Sequence, residues 1–201
     1  MPLLATEGGG GQRQLAPPGT HVARCYQLID LGTQSGEYAG KPNKKHKVRL
    51  SWELPDELAV FDDKKGEEPF AVHKTYTLSL NEKSVLRHDL ESWRGKAFTA
   101  DELKGFDIAK LLGVACLLTI VHETKGDKTY ANVNGVAKLA KGMQCGEPVN
   151  KPVKYEVEDG RNDTFKALPE FLQTMITNCE EWKRAEPEAA DEHPGEEGEP
   201  F

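Results

Sequence analysis

Hydrophobic and polar residues follow two different periods in the middle of the chain. In residues 70–80 they alternate, which is the period of a β-strand with one buried face. In residues 84–94 the apolar residues recur at helical spacing, and Gly95 would end that helix as a left-handed cap. The helix stripe consists of Leu86, Leu90 and Trp93. The apolar run in residues 114–122 then predicts a second, buried strand.

Further strand patterns on both sides of this segment complete a five-stranded order. The predicted strands cover residues 20–31, 46–54, 70–80, 114–122 and 129–138. A long loop of residues 32–45 and a charged connection of residues 55–69 join the first three strands, and a turn around Gly126 joins the last two. Five strands with a helix between the third and the fourth is the order of the OB-fold. We therefore predict an all-β protein, a five-stranded OB-fold-like barrel with an inserted helix.

The two ends of the chain differ from this core. Residues 1–19 are rich in Gly and Pro and predict a flexible leader. Residues 20–184 form the predicted barrel domain with a C-terminal extension, and residues 185–201 form a predicted disordered acidic tail. Within the extension, residues 139–184, we expect an additional edge strand in residues 152–159 and, in residues 164–182, a short helix that Pro169 interrupts early. The expected apolar stripe of that helix is Phe171, Met175 and Cys179. The pattern leaves open whether the extension completes the barrel or forms a dimer contact.

Composition favours one soluble domain. The chain has 201 residues, of which 37% are apolar, and this suffices for one sizeable core. No stretch approaches the roughly 18 apolar residues that a membrane helix needs, so we expect a cytoplasmic protein without a membrane partner. The four cysteines are far apart and lack zinc-site spacing, so we expect no metal and no cofactor. They are Cys25, Cys116, Cys145 and Cys179.

The net charge of −7 is concentrated at one end of the chain. Residues 185–201 contain seven acids and no lysine or arginine. Without that segment, 26 acids balance 26 lysines and arginines. The predicted barrel domain is therefore neutral overall, and its local charge pattern carries more information than the total.

The densest positive stretch begins at the end of the predicted first loop and continues into the second strand. It contains five cations and no acid, namely Lys41, Lys44, Lys45, Lys47 and Arg49. OB-folds bind oligonucleotides with the face of strands 2 and 3 and with the loops between strands 1 and 2 and between strands 4 and 5. The last of these loops also carries cations, Lys125 and Lys128. The position of the charges therefore favours contact with a phosphate backbone.

A protein that binds single strands also needs aromatic rings on which unpaired bases stack. Tyrosines lie close to the predicted cations, whereas Trp52 and Trp93 share faces with apolar residues and are predicted to belong to the core. Tyr76 can be read either way, because its face of the strand also carries Leu78 and Lys74. The candidate nucleic-acid-binding residues are Arg24, Tyr26, Tyr38, Lys41, Lys44, Lys45, Lys47, Arg49, Lys74, Tyr76, Lys128 and Tyr130.

The C-terminal residues resemble the tails of bacterial and phage single-stranded-DNA-binding proteins, in which acidic residues lead to a terminal aromatic. The sequences LGTQ (31–34) and YTLSLNEKSVLRHDLESWRGKAFT (76–99) also resemble phage-encoded proteins of this class, and the likeness covers roughly residues 20–140. The tail here is rich in glutamate and lacks a glutamine- or glycine-rich linker. The resemblance implies single-stranded-DNA binding in phage replication, recombination or repair, in the host cytoplasm. It also implies that the tail recruits replication or recombination partners. The sequence leaves the oligomeric state open, with a homo-oligomer as one alternative. The implied partner-binding residues are Glu196, Glu197, Glu199, Pro200 and Phe201.

Two other classes of function remain open at this point. Asp30 and Glu53 lie on neighbouring predicted strands, and a nuclease could use paired carboxylates to hold magnesium. Alternatively, the same barrel could serve as a protein-interaction module that does not bind DNA. We expect a non-enzymatic binding protein without catalytic residues, since no third acid or lysine completes the carboxylate pair.

Overall fold

The computed structural model describes residues 14–185, and β-strands are its main element. The strands are β1 (Gly19–Tyr38), β2 (Lys41–Asp62), β3 (Gly66–Thr77), β4 (Ala115–Lys125), β5 (Lys128–Ala137) and β6 (Val153–Tyr155). The α-helices are α1 (Val85–Arg94), α2 (Asp163–Ala167), α3 (Glu170–Thr177) and α4 (Glu180–Ala185). Single turns of 3₁₀-helix lie at Glu102–Lys104, Ile108–Leu111 and Val157–Asp159.

The strands form one sheet in the order β3-β2-β1-β4-β5, with β6 paired to β1. Strand β4 is antiparallel to both β1 and β5. The strands at the two ends of this path, β3 and β5, contact each other, and α1 contacts both of them. This strand order, with a helix between the third and fourth strands, is that of an OB-fold barrel. The predicted fold class is confirmed, and β6 is the expected additional edge strand.

The described chain divides into two compact units that share the two longest strands. The barrel unit consists of residues 14–29 and 48–154, and the helical unit consists of residues 30–47 and 155–185. Strands β1 and β2 therefore each contribute one part to the barrel unit and the other part, residues 30–38 and 41–47, to a hairpin in the helical unit. The predicted leader extends beyond the described residues, as does nearly all of the predicted tail.

The barrel core is organised around two tryptophans. Trp52 on β2 is completely buried, and its ring centroid lies 6.0 Å from that of Trp93 on α1. The Trp93 indole also donates a hydrogen bond of 3.0 Å to the Ala115 carbonyl at the start of β4. Leu86 and Leu90 are buried with Trp93, and Gly95 ends α1 at φ 68°, as the helical spacing predicts. The apolar stripe of α1 and the Trp93 hydrogen bond thus both hold this helix to the barrel.

Both connections predicted as loops before β3 are largely extended strand. The predicted loop of residues 32–45 is the far part of the β1–β2 hairpin, which turns at Ala39 and Gly40 with φ of 51° and 74°. Two consecutive residues with positive φ match the two-residue turns that suit the twist of a hairpin. The charged connection of residues 55–69 likewise forms the ends of β2 and β3. Charged side chains there project into solvent, so charge did not indicate a loop.

Other predicted boundaries also differ from the structure. Strand β3 ends at Thr77, so Leu78 is 40% exposed and does not extend the buried face. In the sequence, the capping-box spacing of Thr99 and Glu102 predicts a short helix through residues 103–112, but the structure has two separate 3₁₀ turns there. Thr99 and Glu102 do exchange the hydrogen bonds of a capping box, of 2.9 and 3.3 Å. Because Gly105 directly follows Lys104, this capping box begins only a single 3₁₀ turn.

The apolar stripe predicted for the C-terminal helix begins one residue too early. Phe171 is 52% exposed, whereas Leu172 and Ile176 of α3 are buried together with Cys179. The neighbouring Phe165 and Trp182 rings stack with centroids 5.1 Å apart. The helix starts after Pro169 and buries the face that carries Leu172 and Ile176, so the adjacent face with Phe171 is left exposed.

Gly32 permits close approach inside the helical unit. Its φ is +65°, and a Cβ atom built there would lie 2.5 Å from the Cys179 sulfur. The hairpin backbone therefore lies directly against the residue that precedes α4. Gly40, at the tip of the same hairpin, also has a positive φ of +74°, but no atom lies within 4 Å of its would-be Cβ.

We predict that Gly32→Ala destabilises the protein more than Gly40→Ala does. Both changes impose an unfavourable left-handed conformation, worth roughly 1–2 kcal/mol. Only the change at position 32 adds overpacking against Cys179, worth about 1–3 kcal/mol more. Urea unfolding followed by circular dichroism measures both variants. Equal losses of unfolding free energy would mean that the hairpin and the segment before α4 are not closely packed.

Candidate nucleic-acid interface

The tip of the β1–β2 hairpin presents lysines to solvent. Lys41, Lys44 and Lys45 are exposed, and Lys47 is half-buried as β2 approaches the barrel residues. Strand β2 begins at Lys41, directly after the turn at Ala39 and Gly40. The basic stretch therefore lies on a strand and not in a loop. The side chain of Tyr38 lies outside the described part of the structure. The lysines that are predicted to contact phosphates are thus part of a regular β-strand.

Helix α4 places acidic side chains against this hairpin. The Glu180 carboxylate lies 2.5 Å from the Lys44 ammonium. The Glu181 carboxylate accepts hydrogen bonds from the Thr33 amide at 2.7 Å and from the Thr33 hydroxyl at 2.5 Å. Burial alone would raise the pKa of Glu181, but the Thr33 hydrogen bonds outweigh it and lower the pKa from 4.5 to about 2. These contacts were not predicted, because two adjacent glutamates at a helix start have no sequence feature that identifies their partner.

His46 lies between two carboxylates of the helical unit. Its Nε2 atom is 2.7 Å from Asp30 Oδ1, and its Nδ1 atom is 3.6 Å from Glu181 Oε1. Asp30 also accepts a hydrogen bond of 2.9 Å from the Gly32 amide. The histidine is therefore part of an internal polar cluster, although it lies within the basic stretch of the sequence.

The polar face of β2 inside the barrel unit is largely covered. Ser51 is only 4% exposed and Glu53 is completely buried. The Glu53 carboxylate accepts hydrogen bonds from the backbone amides of Val149 and Asn150, at 3.3 and 2.7 Å, and from the Asn150 side chain at 2.8 Å. The segment that contains these donors therefore lies over this face. Alternation along β2 indicated which residues leave the barrel core, but it could not indicate that a later segment covers them.

The predicted interface residues next to Glu53 are consequently less accessible than expected. Arg24, Tyr26 and Arg49 are all half-buried. Burial raises the pKa of Tyr26, and the nearby Glu53 carboxylate raises it further. Part of this face is covered by contacts within the protein. Less of its surface is therefore accessible to a single strand of nucleic acid than on an open face.

The carboxylates considered for a nuclease have separate roles in the structure. Glu53 is satisfied by amide donors in the barrel unit, and Asp30 pairs with His46 in the helical unit. Across residues 14–185 no group of three or more histidine, cysteine, aspartate or glutamate side chains is arranged to hold a metal ion. The magnesium-site alternative thus has no geometric support among the described residues.

Tyr76 is a core residue and not a stacking platform. It is only 3% exposed, and its hydroxyl donates a hydrogen bond of 2.8 Å to Asp89 on α1. Burial and the Asp89 carboxylate raise the pKa of Tyr76 above its ordinary value. The Lys74 ammonium, also 2.8 Å from the same carboxylate oxygen, is half-buried. The sequence prediction of Tyr76 as a base contact is corrected, because α1 covers the ring and provides a partner for its hydroxyl.

Among the predicted rings whose side chains the structure describes, the most accessible one lies on the β4–β5 hairpin. Tyr130 is 42% exposed, and Lys128 next to it on the same strand face is exposed. In the register of the hairpin, Tyr130 faces Glu123 and Lys128 faces Lys125, so all four side chains lie on one face. Val121, which is 39% exposed, lies diagonally across from Tyr130 on this face and was not among the predicted residues. Glu123 offsets part of the positive charge, since it lies 3.3 Å from Lys125.

The predicted partner-binding residues all lie outside the described residues. They are Glu196, Glu197, Glu199, Pro200 and Phe201. Their role therefore stays a prediction from the resemblance.

No protein-family model and no curated protein matches the sequence. Within residues 14–185, no helix has the length and apolar character needed to cross a membrane. A function for the chain is therefore inferred from the fold and from the chemistry of the β1–β2 and β4–β5 hairpins.

We predict that Glu181 makes stability dependent on acid. Its folded pKa of about 2 lies below its ordinary value of 4.5, so its contribution is complete above pH 4.5 and is lost as the pH falls through about 2. Glu181→Gln should lower stability at neutral pH and flatten the loss between these two pH values. Acid unfolding followed by fluorescence tests this, with the exposed Glu158→Gln as the charge-matched control. An unchanged acid profile in Glu181→Gln would contradict the role of the Thr33 hydrogen bonds.

Proposed function

We propose that the protein binds single-stranded DNA without enzymatic activity and with little sequence preference. The observation that carries this proposal is the exposed lysine group on the β1–β2 hairpin of an OB-type sheet, since the loop between these strands is one that OB-folds use to bind oligonucleotides. The fold alone would not suffice, because one fold can serve many functions. The chemistry of the exposed residues supports the more specific proposal.

The hairpin lysines provide the electrostatic part of binding. Lys41, Lys44 and Lys45 can approach consecutive phosphates, because long flexible side chains at a hairpin tip adapt to an irregular backbone. Each phosphate contact on a single strand releases roughly 0.7 of a counterion. Affinity should therefore depend strongly on salt and weakly on base sequence.

The β4–β5 hairpin provides a surface for bases. Tyr130 exposes 42% of its surface beside Lys128, which pairs an aromatic ring with a cation. Base stacking on such a ring contributes about 1–3 kcal/mol and tolerates any base. Val121 extends the same face with an aliphatic surface. This combination suits unpaired bases, because in a duplex the base faces are already stacked.

The biological role follows from the resemblance. The protein would coat exposed strands during phage DNA replication, recombination or repair in the host cytoplasm, alone or as a homo-oligomer. Its acidic C-terminal segment, ending in Pro200 and Phe201, would recruit replication or recombination proteins.

The test is a titration of the full chain with fluorescent oligo(dT) of increasing length, with and without magnesium. We expect saturable binding that weakens with salt and resists duplex competitor. RNA of equal length tests the preference for DNA. Cleavage in magnesium would favour a nuclease, and no binding to any strand would favour a protein-interaction module.

We predict that replacing Lys41, Lys44 and Lys45 with glutamine flattens the dependence of log affinity on log salt. Loss of three phosphate contacts should reduce the slope by about 2. The matched control changes Lys83, Lys104 and Lys110, which are exposed lysines of the barrel unit, to glutamine. If both triple variants have the same slope, general charge and not the hairpin determines binding.

We also predict that Tyr130→Ala weakens oligo(dT) binding by about 1–3 kcal/mol without lowering the melting temperature. Tyr130→Phe should keep most of the affinity, because stacking needs the ring and not the hydroxyl. Tyr76→Phe provides the opposite control. It removes a buried hydrogen bond, so it should cost about 1–2 kcal/mol of stability and leave binding unchanged. Wild-type affinity in Tyr130→Ala would show that this ring does not contact bases.

A further inference from the structure

One of the hairpin lysines assigned to DNA already has an anionic partner in the folded protein. Lys44 is 66% exposed at its side chain, and the Glu180 carboxylate, 2.5 Å away, is 27% exposed. The pair therefore lies at the surface, where a phosphate could reach the ammonium. Exposed ion pairs contribute little to stability, about 0–1 kcal/mol. Lys44 can consequently exchange one anion for another at low cost.

The position of Glu180 is set by its neighbours. Glu181 is held by the amide and the hydroxyl of Thr33. Cys179, on the other side of Glu180, lies against Gly32, where no larger residue would fit. Because both flanking residues contact β1, the start of α4 cannot move away from the hairpin without losing these contacts. Glu180 is thus kept next to Lys44 and is not a chance surface neighbour.

The remaining charges around this contact also belong to the helical unit. His46 lies between Asp30 and Glu181, at 2.7 and 3.6 Å. The carboxylates of Asp30, Glu180 and Glu181 therefore each lie next to a basic side chain of the hairpin, Lys44 or His46. Asp30 and Glu181 have backbone or hydroxyl donors of their own, whereas the contact of Glu180 described by the structure is the lysine itself.

We propose that Glu180 is a built-in competitor that regulates the phosphate site at Lys44. Binding of a single strand exchanges the Lys44–Glu180 ion pair for a Lys44–phosphate contact, while the Glu181–Thr33 hydrogen bonds keep α4 in place. This inference rests on the proposed function. An intramolecular competitor acts at a fixed, high effective concentration, so it lowers the affinity for every strand equally. It belongs to the folded helical unit and acts independently of the acidic segment that follows α4.

The experiment measures oligo(dT) affinity of the full chain with Glu180→Gln at low salt. Removal of the competitor should tighten binding by about two- to five-fold, the range expected for one exposed ion pair. The charge-matched Glu158→Gln should change affinity less, because its carboxylate also lies in the helical unit but not at Lys44. The gain should shrink as salt rises and screens the pair.

A double-variant cycle with Lys44→Gln makes the test specific for the pair. In that background Glu180→Gln should have no further effect, because the lysine for which it competes is absent. An equal gain with and without Lys44, or equal affinities of Glu180→Gln and Glu158→Gln, would overturn the proposal.

Retention on heparin separates this inference from the proposed function. Heparin sulfates are anions that can also take Lys44, so Glu180→Gln should elute at higher salt than Glu158→Gln. If the wild-type chain fails to bind oligo(dT) but this shift in elution is present and depends on Lys44, the DNA function fails and the competitor stands. Unchanged elution together with normal oligo(dT) binding would refute the competitor alone.

Discussion

The length of the β1–β2 hairpin is the constraint from which the rest of the structure follows. These strands have 20 and 22 residues, whereas strands in globular proteins usually have about 5–6. A barrel wall uses only part of such a length, and a two-stranded ribbon alone is at best marginally stable in water. The remainder therefore needs its own packing partner. Helices α2, α3 and α4 meet that need in the helical unit, where Gly32 allows the backbone to approach Cys179 closely.

The same requirement for partners decides which polar side chains can serve a ligand. Buried charged groups are stabilised when they are hydrogen-bonded or paired, and two carboxylates of the barrel unit obtain such partners within the protein. Glu53 takes the amides of Val149 and Asn150, and Asp89 takes the Tyr76 hydroxyl. Candidate residues that remain exposed, such as Lys41 and Tyr130, lie on the β1–β2 and β4–β5 hairpins.

The proposed function is consistent with that distribution. A binder of single strands needs flexible cations and accessible rings, and it does not need a deep pocket or a charged pair with shifted pKa values. The β1–β2 hairpin offers the cations, and the β4–β5 hairpin offers Tyr130. According to the proposal for Glu180, even an exposed lysine can be paired with a carboxylate of the protein until the ligand replaces that carboxylate. Affinity would then depend on internal carboxylates as much as on the lysines.

The sequence by itself determined the features that arise from local periodicity. The helix stripe of Leu86, Leu90 and Trp93, the burial of Trp52 and the strand order of the barrel all follow from the spacing of apolar residues. Local patterns also placed the cations between the first two strands and at the start of the second, and Tyr130 on the last hairpin.

Only the tertiary structure decided how far the strands extend and which candidates remain accessible. The face of the predicted third strand that carries Tyr76 also carries Leu78 and Lys74, so alternation leaves its burial open, and the position of α1 shows that its ring is buried. Likewise, nothing within β2 indicates that Asn150 covers Glu53, or that Glu180 is next to Lys44. These contacts join residues separated by roughly a hundred positions or more, except for the nearer pair of Tyr76 and Asp89. Periodicity reports which face of an element is apolar, but what covers that element depends on how the whole chain folds.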